Sequence, residues 1–136
     1  MSDLARFHDA QLTTYDRALA ELRAGSKRSH WMWFVFPQIA GLGLSATARR
    51  YAIKNLDEAR AYLADPVLGP RLAECAEALL GVPGKTAYDI LGTPDDLKLR
   101  SSMTLFAAAA GEPELFESVL ERYYDGKPDP ATLERL

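Results

Sequence analysis

Leu68, Leu72, Cys75, Ala76, Leu79 and Leu80 recur at helical spacing and stop at Gly81, and the same kind of stripe, rather than strict alternation, runs along most of this chain. Apolar residues that share one face of a 3.6-residue period bury that face only by packing against neighbours, so the pattern predicts a bundle of amphipathic helices. Ahead of Gly25, Leu4, Phe7, Gln11, Tyr15, Ala18, Leu19 and Leu22 fall at steps of three and four, which predicts one long helix over residues 3–24. Its His8 sits at the edge of that stripe, where a histidine making one hydrogen bond is the ordinary expectation.

Punctuation marks the other elements. Ser45 is a good N-cap for a helix carrying Thr47, Arg49, Arg50, Tyr51 and Ile53, and Gly41 and Gly43 ahead of it make a flexible turn. Asn55 followed by Glu58 has the spacing of a capping box, and Asp65-Pro66 ends the helix it opens. A short helix is expected over Thr86–Leu91. Thr93 at the N-cap, Pro94 at the first position and the carboxylates of Asp95 and Asp96 at the positive dipole end predict a helix to about Ala110. Glu112-Pro113 opens another through Phe116, Val119, Leu120 and Tyr123, and Asp129-Pro130 starts a terminal turn. The unbroken apolar run at 31–36 reads as either a short buried helix or a buried strand, with the helix content elsewhere favouring helix. The fold class is therefore all-α or mainly α, a single compact domain over residues 1–136 with about seven to eight helices.

Composition narrows the function. A net charge of −3, from 19 acidic and 16 basic residues, supplies no general attraction to phosphate polymers or anionic bilayers, so nucleic acid is an unlikely partner. The opening Met1-Ser2-Asp3-Leu4-Ala5-Arg6 has no basic region followed by an apolar run, and no stretch is long enough to span a bilayer. One cysteine, Cys75, excludes an internal disulfide, and the expected location is cytoplasmic. Two histidines and one cysteine cannot build a four-ligand zinc site, so neither a metal nor a cofactor is expected. Gly41-Leu42-Gly43 lacks the third glycine of a dinucleotide fingerprint, and no serine lies in a nucleophile elbow. Oligomeric state is not legible.

Two clusters remain. His30-Trp31-Met32-Trp33, with Gln38, Gly41 and Ser45, combines an aromatic wall for a planar ring, an amide to read that ring's edge and a turn that lets backbone approach a ligand. The competing reading makes both indoles plain core. The second cluster is Asp95–Thr104, where Asp96, Arg100 and Thr104 share a face; Asp96 and Arg100 can pair, or Arg100 can clamp a phosphate or carboxylate.

These strings carry a resemblance. Ser29-His30-Trp31-Met32-Trp33-Phe34-Val35-Phe36-Pro37-Gln38, Gly41-Leu42-Gly43-Leu44-Ser45, Tyr51-Ala52-Ile53, Leu68-Gly69-Pro70-Arg71-Leu72 and Pro94–Phe106 resemble the bacterial family called domain of unknown function 1810. The resemblance implies a mainly helical fold with no established activity. The order of aromatic block, glycine turn and Tyr-containing helix is also similar, more distantly, to the NADAR (NAD and ADP-ribose associated) domain. That likeness implies a nucleotide-like ligand and N-glycosidase chemistry, which uses an acid for the leaving group and a carboxylate at an oxocarbenium-like centre. Where the NADAR pattern supplies its glutamate, this chain has Arg49-Arg50-Tyr51-Ala52, so Asp95, Asp96, Glu58 or Glu74 has to substitute.

The expected site thus has Asp96 and His30 as catalytic residues, with Trp31, Trp33, Gln38, Gly41, Ser45, Tyr51, Lys98, Arg100 and Ser101 binding an ADP-ribose-like or other nucleoside-derived ligand. Three roles stay open: an N-glycosidase, a non-catalytic module that binds such a ligand, and a protein-interaction domain.

Overall fold

The computed structural model describes residues 3–136; of the opening segment read above, Met1 and Ser2 lie outside the described residues. It is mainly helical, with no strands and ten helices among the described residues. In chain order they are α1 (Ala5–Leu12), α2 (Tyr15–Ala24), α3 (Met32–Val35), α4 (Ala46–Arg50), α5 (Leu56–Ala64), α6 (Leu68–Leu80), α7 (Ala87–Leu91), α8 (Asp95–Ala109), α9 (Glu114–Tyr124) and α10 (Pro130–Leu133). Six have seven residues or more; the excess over the expected seven to eight comes from a split first helix and several single turns.

The helix expected over 3–24 breaks at Thr13-Thr14. The Thr14 hydroxyl donates to the Ala10 carbonyl at 2.6 Å, a bond to the fourth residue back that competes with the regular ladder and bends helices. The break lets two polar side chains serve the core. Buried Gln11 donates to the Phe34 carbonyl at 2.7 Å and lies 3.1 Å from the Tyr62 hydroxyl, while the Tyr15 hydroxyl bonds the Glu74 carboxylate.

The ambiguous run at 31–36 resolves into one helical turn, α3, after which Phe36 leaves the helical conformation with φ −125° and ψ 74°. Ile39 then forms a parallel bridge with Ile53, closed by Ala40 N–H to Ile53 O and Ile53 N–H to Gln38 O, both 2.8 Å. Three caps are as the spacing predicts: Ser45 and Asn55 accept from the N–H groups of Ala48 and Glu58, and Asp129 from that of Thr132. The capping box at Asn55 is only half made. Glu58 turns inward instead, accepting from Lys54 N–H at 3.1 Å and Arg6 at 2.9 Å. At the other end of α5, a Cβ on Gly69 would collide with the Leu63 carbonyl, so the start of α6 packs backbone to backbone there.

α8 starts one residue later than predicted. Pro94 rather than Thr93 occupies its cap position, and neither side chain caps it. The mixed polar and apolar character of its sequence has a simple cause: α5, α7, α9 and α10 all pack on it, so most of its faces are buried. Ser101 and Thr104 fit that setting by bonding carbonyls of the preceding turn. An aromatic chain crosses the core through α8: Phe7 to Tyr62 at 5.2 Å, Tyr62 to Phe106 at 5.3 Å and Phe106 to Phe116 at 6.1 Å between centroids. Each such contact adds about 0.5–1.5 kcal/mol beyond the area it buries. Cys75 is buried in this packing, which pushes its thiol up to about 12 and leaves it unreactive as a nucleophile.

Candidate functional site

The Ile39–Ile53 bridge holds the loop 37–41 beside the residues that follow α4, and a cleft of about 260 Å3 lies against it, lined by Trp33, Gln38, Gly41, Gly43, Arg49 and Tyr51 among others. A second hollow of about 280 Å3 adjoins it. Gln38, Gly43 and Ala48 line both, and the second hollow adds Leu97, Lys98 and Ser101 from α8 and Asp129 ahead of α10. The two form lobes of one depression with Gln38 between them.

Trp33 and Lys98 connect the lobes. The Lys98 ammonium stands 4.6 Å from the centre of the Trp33 ring, where the negative face of the indole attracts a cation. Asp95 steadies it at 3.6 Å and also pairs with Lys27 at 2.9 Å, and Lys27 in turn stands 5.2 Å from the Trp31 ring. One carboxylate therefore holds two ammonium groups, each against a different tryptophan.

Trp31 itself is sealed in the core at 1% exposure. Its indole N–H donates to Glu21 Oε1 at 2.9 Å, and the same carboxylate accepts from Arg28 N–H, Ser29 N–H and the Ser29 hydroxyl. Burial opposes the charge on Glu21, but these four donors outweigh it and hold the carboxyl down to about 2. Glu21 thereby ties α2 to the loop that delivers Trp31 and Trp33. Sequence reasoning missed it, because a glutamate in a helix offers no sign of a partner ten residues away.

Of the expected site residues, Trp33, Gln38, Gly41 and Tyr51 line the first lobe, and Lys98 and Ser101 line the second. Tyr51 is half-buried, edge-on to Phe34 at 5.2 Å. The Ser101 hydroxyl lies 3.0 Å from Asp129 Oδ2, which also accepts from the Thr132 hydroxyl at 2.6 Å. Five residues do not join them. His30 is exposed and lines neither lobe, Trp31 is core, and Ser45 spends its side chain capping α4. Asp96 and Arg100 form no ion pair; Asp96 accepts from Leu97 N–H, and Arg100 donates to the carbonyls of Lys127 and Pro128 at 2.9 Å. That pair of bonds anchors the segment leading into α10, so Arg100 shapes the second lobe without entering it.

Arg135 was also missed. Gly41 has φ +98°, and a Cβ there would run into the Arg135 guanidinium, so a residue beyond α10 closes over the glycine turn.

Larger hollows exist elsewhere, about 390 Å3 beside α8 and α9 and about 490 Å3 at the ends of α5 and α8. The first is lined mainly by Ala107, Ala108, Leu120 and Leu133 with Glu117 and Glu121, the second by Leu63, Ala64, Ala109 and Ala110 with Arg60. Neither gathers an aromatic face with converging hydrogen-bonding groups, the combination that marks small-molecule sites, so the smaller cleft at Gln38 is the better candidate. Among the described residues no group of His, Cys, Asp and Glu could hold a metal ion, and no helix is long and apolar enough to cross a membrane.

The chain belongs to the family described as protein of unknown function DUF1810, whose profile matches residues 1–136. Its structure is similar to the crystal structure of the conserved hypothetical protein Rv1873 from Mycobacterium tuberculosis, with 52% identity and a TM-score of 0.97 over 98% of this chain and 96% of that one. Among curated proteins none matches the chain. The NADAR likeness is not among these matches.

Proposed function

We propose that this DUF1810 chain binds a nucleoside-derived ligand, of the ADP-ribose kind, in the two-lobed cleft around Gln38. One observation carries the reading. A half-buried indole, Trp33, and the amide of Gln38 border a single hollow beside a glycine turn, with the Lys98 cation at the junction of the lobes. A planar base stacks on aromatic faces of this kind at about 1–3 kcal/mol per base. Gln38 has both a donor and an acceptor to pair with the base edge.

Binding without turnover is the leading form of this reading. Neither Asp96 nor His30 lines the cleft, and the one carboxylate that does, Asp129, is already committed to Ser101 and Thr132. A second form, N-glycosidase activity with Asp129 as the acidic group, draws on its place in the second lobe and on the distant NADAR likeness.

Thermal stabilisation by NAD, ADP-ribose and nucleosides tests the proposal, because a ligand at a hundredfold excess over its Kd stabilises the native state by about 2.7 kcal/mol. A rise in Tm with one of these compounds, lost in Trp33→Ala, supports it. A flat panel removes it. Release of free base from the stabilising compound separates the enzyme from the binding module.

A further inference from the structure

We propose that Arg135 and Arg49 form an anion subsite at the Gly41 edge of the cleft, and that the ligand accepted there carries a phosphate; the proposal rests on the reading above for the location of the base. Arg49 lines the Trp33 lobe, and no acidic residue does. The Arg135 guanidinium occupies the space that a side chain on Gly41 would take, so it lies directly against a residue that lines this lobe. Arg50, the next residue after Arg49, stands 5.5 Å from the ring of Tyr51, which also lines this lobe.

Nine of the 16 Lys and Arg side chains have an ion-pair or hydrogen-bond partner, Arg71 through Gln11 and Lys85 through the Gly25 carbonyl among them. Acidic residues outnumber basic ones, 19 to 16, so partners are in surplus. Arg6 pairs with Glu58, Arg23 with Glu74, Arg60 with Asp57, and Lys27 and Lys98 with Asp95, while Arg100 and Arg122 bond backbone carbonyls. Among the described residues, the side chains of Arg49 and Arg135 have neither an ion-pair nor a hydrogen-bond partner; Arg17, Arg28, Arg50, Lys54 and Lys127 share that state, but Arg49 lines the first lobe and Arg135 lies against its Gly41. Two uncompensated guanidinium groups beside one hollow, in a chain of net negative charge, concentrate positive potential where a ligand enters. The planar fork of a guanidinium matches two oxygens of a phosphate, which a lysine ammonium cannot do. The ligand class is thereby a phosphorylated nucleoside rather than a free base.

Calorimetric titration of the wild-type chain, Arg135→Gln and Arg135→Lys with adenosine, AMP and inorganic pyrophosphate tests this. The expected result is AMP binding at least tenfold tighter than adenosine in the wild type, with pyrophosphate binding by itself. In Arg135→Gln the gain from phosphate and the pyrophosphate binding are lost, adenosine binds as before, and the melting temperature of this exposed-residue variant is unchanged. Arg135→Lys restores part of the gain. A phosphate gain that is absent in the wild type, or that survives in Arg135→Gln, overturns the subsite while adenosine binding keeps the base reading. Pyrophosphate binding that depends on Arg135, with no adenosine binding, keeps the subsite and removes the base reading instead. Binding of none of the three removes both.

Discussion

Lys98 stands 4.6 Å over the ring of Trp33, joining the segment after α2 to the central helix at the boundary between the two lobes of the cleft. Asp95 holds that lysine from one side and Lys27 from the other, so the ring, the cation and the carboxylate are one unit. The unit presents a positive charge at an aromatic face, an arrangement suited to a ligand with both a planar ring and a negative group.

The two tryptophans are expected to separate under mutation. Trp33→Ala removes a half-buried ring and lowers stability by about 1–2 kcal/mol while erasing affinity for the ligand found by thermal screening. Trp31→Ala empties a sealed core position and loses the bond to Glu21, at about 3–5 kcal/mol. Urea unfolding of both variants, beside ligand titration of Trp33→Ala, checks this; equal stability losses would mean that Trp33 is core.

Acid should find Glu21. Its carboxyl is held at about 2 when folded against an ordinary 4.5, so the folded state favours the charged form. The resulting stability is fully present above about pH 4.5 and is lost as the pH falls towards 2. After allowance for solvent screening it amounts to about 1–2 kcal/mol. Melting curves from pH 6 to 2 should show a steeper fall for the wild type than for Glu21→Gln, and parallel curves would remove the carboxylate from this role.

Gly41→Ala meets two obstacles at once, a φ of +98° and the Arg135 guanidinium. The backbone cost alone is about 1 kcal/mol. The displaced arginine adds a loss of pyrophosphate affinity that Gly84→Ala, a positive-φ glycine with open space around it, does not share. The comparison of the two variants by titration and melting isolates the contribution of Arg135.

Asp96→Ala and His30→Ala are expected to leave ligand affinity within about twofold of wild type, because neither side chain lines the cleft. Should base release be detected, these variants should also keep it, whereas Asp129→Asn should lose it. Abolished turnover in Asp96→Ala with an intact fold would falsify this location of the chemistry.

Much of the fold is legible along the chain for a definite reason. Amphipathic spacing and the caps at Ser45, Asn55 and Asp129 are interactions between residues three or four apart, and such pairs are written in adjacent letters. The aromatic block and glycine turn likewise stand out by composition, and Trp33, Gln38, Gly41 and Tyr51 do share a wall. The break at Thr13-Thr14 is different, since the Gln11 and Tyr15 partners that it serves lie far along the chain. Whether a tryptophan is core or wall was equally closed to periodicity: Trp31 and Trp33 are two residues apart, and only the packing around them buries one and leaves the other half open.

What the amino-acid order determined by itself is therefore most of the helices, several of their caps and the placing of an unusual aromatic segment beside a flexible turn. Tertiary structure alone decided that Glu21 fastens that segment, that α8 is covered on most faces, and that Arg135 packs against Gly41 while Arg100 holds the carbonyls ahead of α10. Local elements follow from backbone bonding and side-chain period over a few residues, whereas a site is made of groups brought together across the chain by burial, and burial is a property of the whole packed molecule.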